Sequence, residues 1–246
     1  MVQSIDRAMH IIHILASEDD KNAWAISEIA EKTALPISTV HRLIGSLIKN
    51  GLVMQIPDTK QYKIGYTWME IGLKLLENTD FRDVTRPIME QLAQDVKETV
   101  YFNLPNGNYS IIMDRIDSPR SVRIIDSLGE RIPLHIGAAN KTILANIPEK
   151  RAEQIIHNLI SSQEERDALI KQLREVKRNG YAISYGEKTE GTASVGAPVI
   201  GFNQKVIGAI SIEMLDYDIT DEHLTFLVDK VKQAAQTISM KIGRTF

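Results

Sequence analysis

Residues 26–51 constrain the fold of this chain more than any other segment, because they read as two short helices separated by a tight break. The break is predicted at Ala34-Leu35-Pro36, since a residue before proline leaves the helical region and proline has no N–H to donate. Ser27 is expected to cap the first helix, and Ser38 or a neighbour to begin the second. Apolar residues at spacings of three and four predict one buried stripe on the second helix, formed by Val40, Leu43, Ile44, Leu47 and Ile48.

The stripe leaves a small polar surface at the start of the second helix. Ser38, Thr39, His41 and Arg42 supply hydrogen-bonding side chains and one guanidinium, a set that can reach base edges and phosphates in a major groove. Lys49 adds a positive charge near the end of the same helix. This pattern predicts a DNA-binding helix-turn-helix, although any two amphipathic helices joined by a short turn resemble it.

The flanking sequence favours DNA binding. Ser4 is expected to cap an upstream helix, whose apolar face is formed by Ile5, Ala8, Met9, Ile12, Leu15 and Ala16. Downstream, residues 52–56 and 61–64 are predicted strands on either side of a turn. Helix, helix, recognition helix and two-stranded wing is the order of a winged helix, in which Lys60 and Lys63 of the wing would meet phosphate.

Composition limits the other classes of protein. Through Gly65 the chain has seven basic and seven acidic residues, so DNA affinity must come from how the charges are arranged, and we expect each module to need a second copy. The whole chain has 246 residues, 43% of them hydrophobic, which is enough for two globular domains. It has no cysteine, no secretory leader and no apolar run long enough to span a membrane, so a cytoplasmic protein without membrane contact is expected.

The rest of the chain predicts helices mixed with antiparallel hairpins, hence an α+β domain. Residues 66–77 read as a linker helix whose Trp68, Ile71 and Leu75 are apolar. Further helices are predicted at 80–97, 138–146, 149–160, 163–179 and after Thr220. Strands are predicted at 99–104, 110–116, 122–127, 181–185, 194–200 and 205–213, and Asn106-Gly107 favours the turn of the first hairpin.

Two segments resemble the isocitrate-lyase-regulator (IclR) family of bacterial transcription regulators. Residues 131–145 (RIPLHIGAANKTILA) are similar to the family's PLH…G-K-A-x-L-A stretch, and residues 180–212 resemble its long C-terminal signature. The resemblance implies a winged helix at 1–65, a linker helix at 66–79 and a GAF-like effector-binding domain at 80–246. It also implies a dimer or tetramer that binds palindromic double-stranded DNA operators.

The family resemblance also implies an effector pocket, whose positions here are Gly137, Ala138, Ser184, Ser194, Ser211 and Glu213. Strand parity independently places Ser211 and Glu213 on one face, although alternation alone would also suit a solvated face. The N–H groups of Gly137 and Ala138 open a helix and favour an anion or a polar oxygen. Asn140, Ser194 and Glu213 depart from the family's usual glycine, cysteine and small hydroxyl residue. Glu213 disfavours a small acid, so we expect a polyol, a sugar-like or an amine-bearing effector before a small acid.

Catalytic motifs are absent from the sequence. Residues 191–196 read G-x-x-S-x-G and miss the spacing of a nucleophile elbow by one, and no phosphate loop or H-E-x-x-H occurs. His10 and His13 have no third ligand nearby, and His135 suits either a general base or, more often, a structural role. We therefore predict no enzyme, cofactor or metal site, but a ligand-responsive transcription regulator, with repression favoured over activation.

Overall fold

The computed structural model describes residues 3–17, 21–77, 81–201, 204–217 and 219–243. The chain divides into two compact units, Met1–Thr79 and Asp80–Phe246. The helix predicted to link the two domains groups with the first unit. The side chain of Leu75, which was predicted on the apolar face of that helix, lies outside the described residues.

The first unit has the predicted order of a winged helix followed by a further helix, which confirms this part of the fold. Its elements are α1 (Gln3–Leu15), α2 (Ile26–Thr33), α3 (Ile37–Lys49), β1 (Val53–Gln55), β2 (Tyr62–Ile64) and α4 (Thr67–Glu77). The two strands pair antiparallel, with Val53 opposite Ile64. Ala34 ends α2 in the left-handed region with φ 53°, and Gly51 leads the chain out of α3 with φ 68°.

The buried stripe of α3 is narrower than predicted. Val40, Ile44 and Leu47 are buried, whereas Leu43 is half-buried and Ile48 is 38% exposed. A residue turns by about 100° along a helix, so the three buried residues fall within one arc and the other two lie at its edges. The spacing pattern therefore predicted the direction of the buried face correctly but overestimated its width.

The buried face of α1 is rotated from the predicted one. The buried residues of this helix are Ile11, Ile12, Ile14 and Leu15. Ile5 and Met9 were predicted on the apolar face, but they are 60% and 37% exposed. The helix begins at Gln3, so Ser4 lies inside its first turn and is not its cap. Both faces satisfy a spacing of three and four, and packing against α2 and α3 selects between them.

The start of α2 also differs from the prediction. Ser27 lies within the first turn, and the N-cap position belongs to Ala25, whose side chain has no oxygen to cap the helix. Glu28 reaches back instead, and its carboxylate accepts a hydrogen bond of 2.9 Å from the Ala25 N–H. An ion pair with Lys21 and this backbone hydrogen bond hold the pKa of Glu28 below its usual value. A carboxylate in the first turn is also stabilised by the helix dipole.

The second unit is an antiparallel sheet covered by helices on both faces, which confirms the α+β prediction. Its helices are α5 (Phe81–Val96), α6 (Ala138–Asn146), α7 (Glu149–Leu159), α8 (Gln163–Asn179) and α9 (Asp221–Gly243). Its strands are β3 (Thr99–Asn106), β4 (Tyr109–Ile116), β5 (Arg131–Pro133), β6 (Ala182–Tyr185), β7 (Thr192–Ile200) and β8 (Val206–Leu215). Within the described ranges, the sheet order is β5-β4-β3-β8-β7-β6. Helices α5 and α9 pack on one face, and α6, α7 and α8 belong to a second core on the other.

The strand predicted at 122–127 does not form, and the edge strand is β5 instead. The backbone of this segment forms hydrogen bonds with side chains and not with another strand. The Ile124 carbonyl accepts from Thr99 Oγ1 and from Tyr101 Oη, each at 3.2 Å. The prediction of a strand is therefore wrong here, because side chains of β3 take the place of a pairing strand. The first hairpin is tighter than predicted, since Asn106 pairs with Tyr109 and only two residues form the turn.

Candidate DNA-binding surface and effector pocket

The predicted recognition surface lies on the exposed side of α3. Ser38, His41 and Arg42 are exposed, and Thr39 is half-buried beside them. Ser38, His41, Arg42 and Gly45 follow the spacing of one helix face. A Cβ added at Gly45 would meet nothing within 4 Å, so this face is open at its centre. Gly45 was not among the predicted DNA-binding residues, although its position seven residues after Ser38 indicates the same face.

The basic residues of the first unit extend this surface to the wing. Lys49 is exposed at the end of α3, and Lys60 is exposed in the wing turn, where its φ is 58°. Gln55 Nε2 donates to the Lys60 carbonyl at 3.0 Å and so holds this turn. Lys63 lies on β2 opposite Met54 and is half-buried. Within the described part of the chain, none of these lysines forms an ion pair, so their charges are available to an outside anion.

A cavity lies between the sheet and the start of α6 in the second unit. It encloses about 350 Å³ including its mouth, at the low end for a small-molecule site. Its deepest part has room for about one water molecule, roughly 20 Å³. Its lining residues are Tyr101, Asn103, Ile112, Asp126, Ile132, Ile136, Gly137, Ala138, Ala139, Asn140, Lys188, Ser194, Ser211 and Glu213.

Five of the six predicted effector residues line this cavity. Ser194 lies directly across the sheet from Glu213, and Ser211 lies across from Tyr101, so these side chains share a face. Ser184 continues the same row beside Ser194 and is buried, but it does not line the cavity. The strand parity read from Ser211 and Glu213 therefore matches the observed face.

The N–H groups of Gly137 and Ala138, which were expected to bind an anion or a polar oxygen of the ligand, already have acceptors within the protein. The Gly137 N–H donates to Glu187 Oε2 at 2.8 Å, and the Ala138 N–H donates to Ser194 Oγ at 3.3 Å. The other oxygen of Glu187 pairs with Lys141, whose side chain is buried. The positive end of the helix dipole thus already faces a carboxylate of the same chain. Glu187 comes from a distant loop, and this is why the sequence pattern could not predict its place.

Lys188 brings a positive charge to the cavity, but two carboxylates neutralise it. Its Nζ lies 2.7 Å from Asp126 Oδ2 and 2.7 Å from Glu130 Oε1. These contacts raise the pKa of Lys188 in spite of its burial. The backbone of Asp126 is fixed as well, because its N–H donates to Tyr101 Oη at 2.9 Å and its carbonyl accepts from Arg115 Nη1 at 2.5 Å.

Glu213 has a strongly perturbed carboxyl group. Its pKa is raised from 4.5 to about 7, chiefly by burial and also by the negative charges of Asp126 and Glu130, while Lys188 lowers it. No hydrogen bond or ion pair joins its carboxyl group to another described residue. A carboxyl group in such a setting is a candidate for ligand binding.

His135, the candidate general base, does not line the cavity. Its Nδ1 is buried without a hydrogen-bond partner, and burial holds its pKa below the usual value. In the described ranges, no group of three or more histidines and carboxylates is arranged to hold a metal ion. None of the described helices is long and apolar enough to cross a membrane.

Comparisons with known proteins agree with this architecture. A family model for the bacterial transcriptional regulator IclR C-terminal region matches residues 73–240, and a model for the IclR helix-turn-helix domain matches residues 4–57. The HTH-type transcriptional regulator KipR of Bacillus subtilis is 32% identical over 231 residues, or 92% of each chain. This chain belongs to the IclR family.

Solved IclR-family structures share the fold over the whole chain. The IclR protein of Thermotoga maritima has a TM-score of 0.76 at 26% identity, covering 99% of this chain and all of that one. An IclR homologue of Microbacterium hydrocarbonoxydans, solved with 4-hydroxybenzoate, has a TM-score of 0.82 at 20% identity with the same coverage. This IclR-family chain is therefore a ligand-responsive transcription regulator with a helix-turn-helix domain and an effector domain, and its family is not one of enzymes.

Proposed function

We propose that this IclR-family chain is a repressor that binds palindromic operators as a homo-oligomer, under the control of a small molecule held in the second unit. Relatives named as repressors support the sign of regulation: the IclR repressor of Escherichia coli and the acetate operon repressor of Salmonella typhimurium are each 24% identical to this chain. The observation that carries the proposal is the exposed face of α3, where Arg42 has no protein partner among the described residues.

The DNA contacts follow from the geometry of that face. Arg42 suits a guanine edge or a phosphate, and Ser38, Thr39 and His41 are placed to bond beside it. Gly45 allows the helix axis to approach the groove closely, because no side chain separates the two. Lys49, Lys60 and Lys63 suit phosphates, which position a protein on the duplex without reading its sequence.

Association of two subunits would cover an apolar surface of the first unit. Ile5 of α1 is 60% exposed, and Tyr66, Met69 and Ile71 at α4 are 62%, 60% and 53% exposed. Exposed apolar side chains in this number usually mark an interface. A two-fold dimer would present two recognition helices to two half-sites, which is why a palindromic operator is expected.

The cavity of the second unit is the proposed effector site. The complex of the Microbacterium homologue with 4-hydroxybenzoate supports the view that this fold takes a small molecule. Ser194, Ser211 and Glu213 supply polar groups from neighbouring strands, and Gly137 and Ala138 form the opposite wall. A ligand that binds one dimer geometry better than another would shift their populations, and with them the distance between the recognition helices.

Electrophoretic mobility shifts with DNA from the regions flanking the gene test the DNA-binding half of the proposal. Arg42→Ala should weaken specific binding by about 1–3 kcal/mol, or roughly 5- to 150-fold, and relax the preference at one base pair of each half-site. Lys60→Ala and Lys63→Ala should weaken all sequences alike and reduce the dependence on salt. Lys171→Ala, an exposed lysine of α8, is the matched control. Unchanged affinity and selectivity of Arg42→Ala would reject the assignment of α3.

A further inference from the structure

The cavity of the second unit contains buried polar atoms that no described residue satisfies. Asn140 Nδ2 donates to the carbonyls of Pro133 and Ile136, at 3.2 and 2.8 Å. A carbonyl can only accept, so the orientation of the Asn140 amide is fixed and Oδ1 remains the free acceptor. This oxygen is buried without a partner, and Asn140 is only 2% exposed.

Asn103 also lines this cavity, and its Oδ1 is buried without a partner. Its Nδ2 lies 3.3 Å from Ser110 Oγ, a hydroxyl that can donate or accept, so the fixed amide orientation belongs to Asn140 alone. A buried polar atom without a hydrogen bond typically costs about 1–3 kcal/mol, so two of them in one cavity require an explanation. A ligand that donates hydrogen bonds would satisfy both oxygens.

The charges of the cavity point to the same kind of ligand. Glu213 faces it without a partner, and Asp126 and Glu130 stand close to it. The positive charge on the lining belongs to Lys188, which is already held by Asp126 and Glu130 at 2.7 Å each. The carboxyl groups of Asp126, Glu130 and Glu213 thus lie near one ammonium group, that of Lys188. The oxygens of Glu213 accept no hydrogen bond from a described residue.

We propose that the effector of this protein carries a cationic nitrogen together with hydroxyl or further N–H donors, and that Glu213, Asn103 and Asn140 receive it. The inference rests on the proposed effector site. An ammonium group donates and cannot accept, which suits the carboxyl group of Glu213, and the further hydroxyl or N–H donors suit the amides of Asn103 and Asn140. A carboxylate ligand would instead meet unpaired oxygens and a negative field, and Glu187 and Ser194 already occupy the N–H groups of Gly137 and Ala138.

The titration of Glu213 agrees with this assignment. Its raised pKa means that the empty cavity holds the carboxyl partly protonated near neutral pH. A bound cation would stabilise the ionised form, so the pKa would fall and a proton would be released on binding. Burial is the largest cause of the raised pKa, and the effect of Lys188, which lowers it, is opposed by Asp126 and Glu130.

Two matched sets of small probes test the proposal: serinol, glycerol and glycerate, and ethanolamine, ethylene glycol and glycolate. Within each set the molecules have nearly the same size and differ in charge. Thermal shifts and calorimetry should show that the amine binds the native protein at least tenfold more tightly than the matching diol or triol, and that the acid does not bind. Glu213→Gln, which keeps the shape of the side chain, should remove this preference, whereas Glu175→Gln on the exposed side of α8 should not.

Tighter binding of either acid would overturn the proposal, as would binding of no probe or an unchanged preference in Glu213→Gln. Asn140→Leu gives an independent check, because it removes the amide and should weaken the amine at least tenfold even if Glu213→Gln folds poorly. Failure of the proposed function would look different, since the native protein would then fail to shift operator DNA or would shift it alike with and without a bound probe.

Discussion

Replacing Glu213 by glutamine should make the protein more stable, although the residue belongs to the proposed effector site. Burial raises the pKa of Glu213 from 4.5 to about 7, so the folded protein holds the proton more tightly than the unfolded chain. As the pH rises from about 4.5 to 7, the unfolded chain ionises first and the native protein loses stability. Above pH 7 the loss is complete. Glutamine has no such proton, and the variant should not show this decline.

The magnitude follows from the size of the shift. Each pKa unit corresponds to about 1.4 kcal/mol, so a shift from 4.5 to about 7 sets an upper limit of about 3.5 kcal/mol. Glu213 is only partly buried, and solvent screening reduces this to about 2 kcal/mol at pH 8. For a unit of this size we expect a rise in Tm of about 4–8 °C at pH 8 and nearly equal Tm values at pH 5.

Thermal unfolding of both proteins between pH 5 and pH 8 measures this difference directly. Other groups titrate in the same range, but they are common to both proteins and cancel when the two curves are subtracted. Glu175→Gln on α8 removes an exposed carboxylate and should follow the native curve. If the Glu213→Gln variant were no more stable than the native protein at pH 8, the carboxyl group would be solvated and our account of its environment would be wrong.

Two further substitutions test the packing of each unit. Gly196→Ala should destabilise the protein by about 1–3 kcal/mol in chemical unfolding, because a Cβ there would lie 2.7 Å from the backbone nitrogen of Ala139. An unchanged unfolding midpoint would show that α6 moves away from the new methyl group without cost. Met69→Glu should favour monomers in analytical ultracentrifugation and weaken operator binding, because it places a charge in the apolar surface of α4; an unchanged oligomer would exclude that surface from the interface.

The winged helix was predictable because its signals are local. The stripe of Val40, Ile44 and Leu47 and the stop before Pro36 are readable within a few residues. The prediction failed where two faces of one helix satisfy the same spacing of apolar residues. Two faces of α1 satisfy helical spacing, and only packing against α2 and α3 shows that Ile11 and not Met9 is buried.

The family resemblance predicted that Gly137, Ala138 and Ser194 line the cavity, but spacing along the chain predicted it only where one strand defines it. Ser211 and Glu213 lie two apart on β8 and so had to share a face. Asn103, Asp126 and Lys188 come from distant parts of the chain, and their convergence depends on sheet order and on loop paths. The same reason explains the failed strand at 122–127, because the Ile124 carbonyl bonds to side chains of β3 and not to a neighbouring strand.

The loop after β6 contacts both the charged residues of the cavity and the start of α6. Glu187 accepts from the first N–H of α6 and pairs with Lys141, while the next residue, Lys188, pairs with Asp126 and Glu130. A cation bound at Glu213 would compete with Lys188 for the negative field of the cavity. Because Glu187 and Lys188 are consecutive in the chain, displacement of Lys188 would also strain the contact of Glu187 with α6. A change in the charge of a small cavity would thereby act on a helix that packs against the sheet, which is the kind of coupling that a ligand-responsive regulator requires.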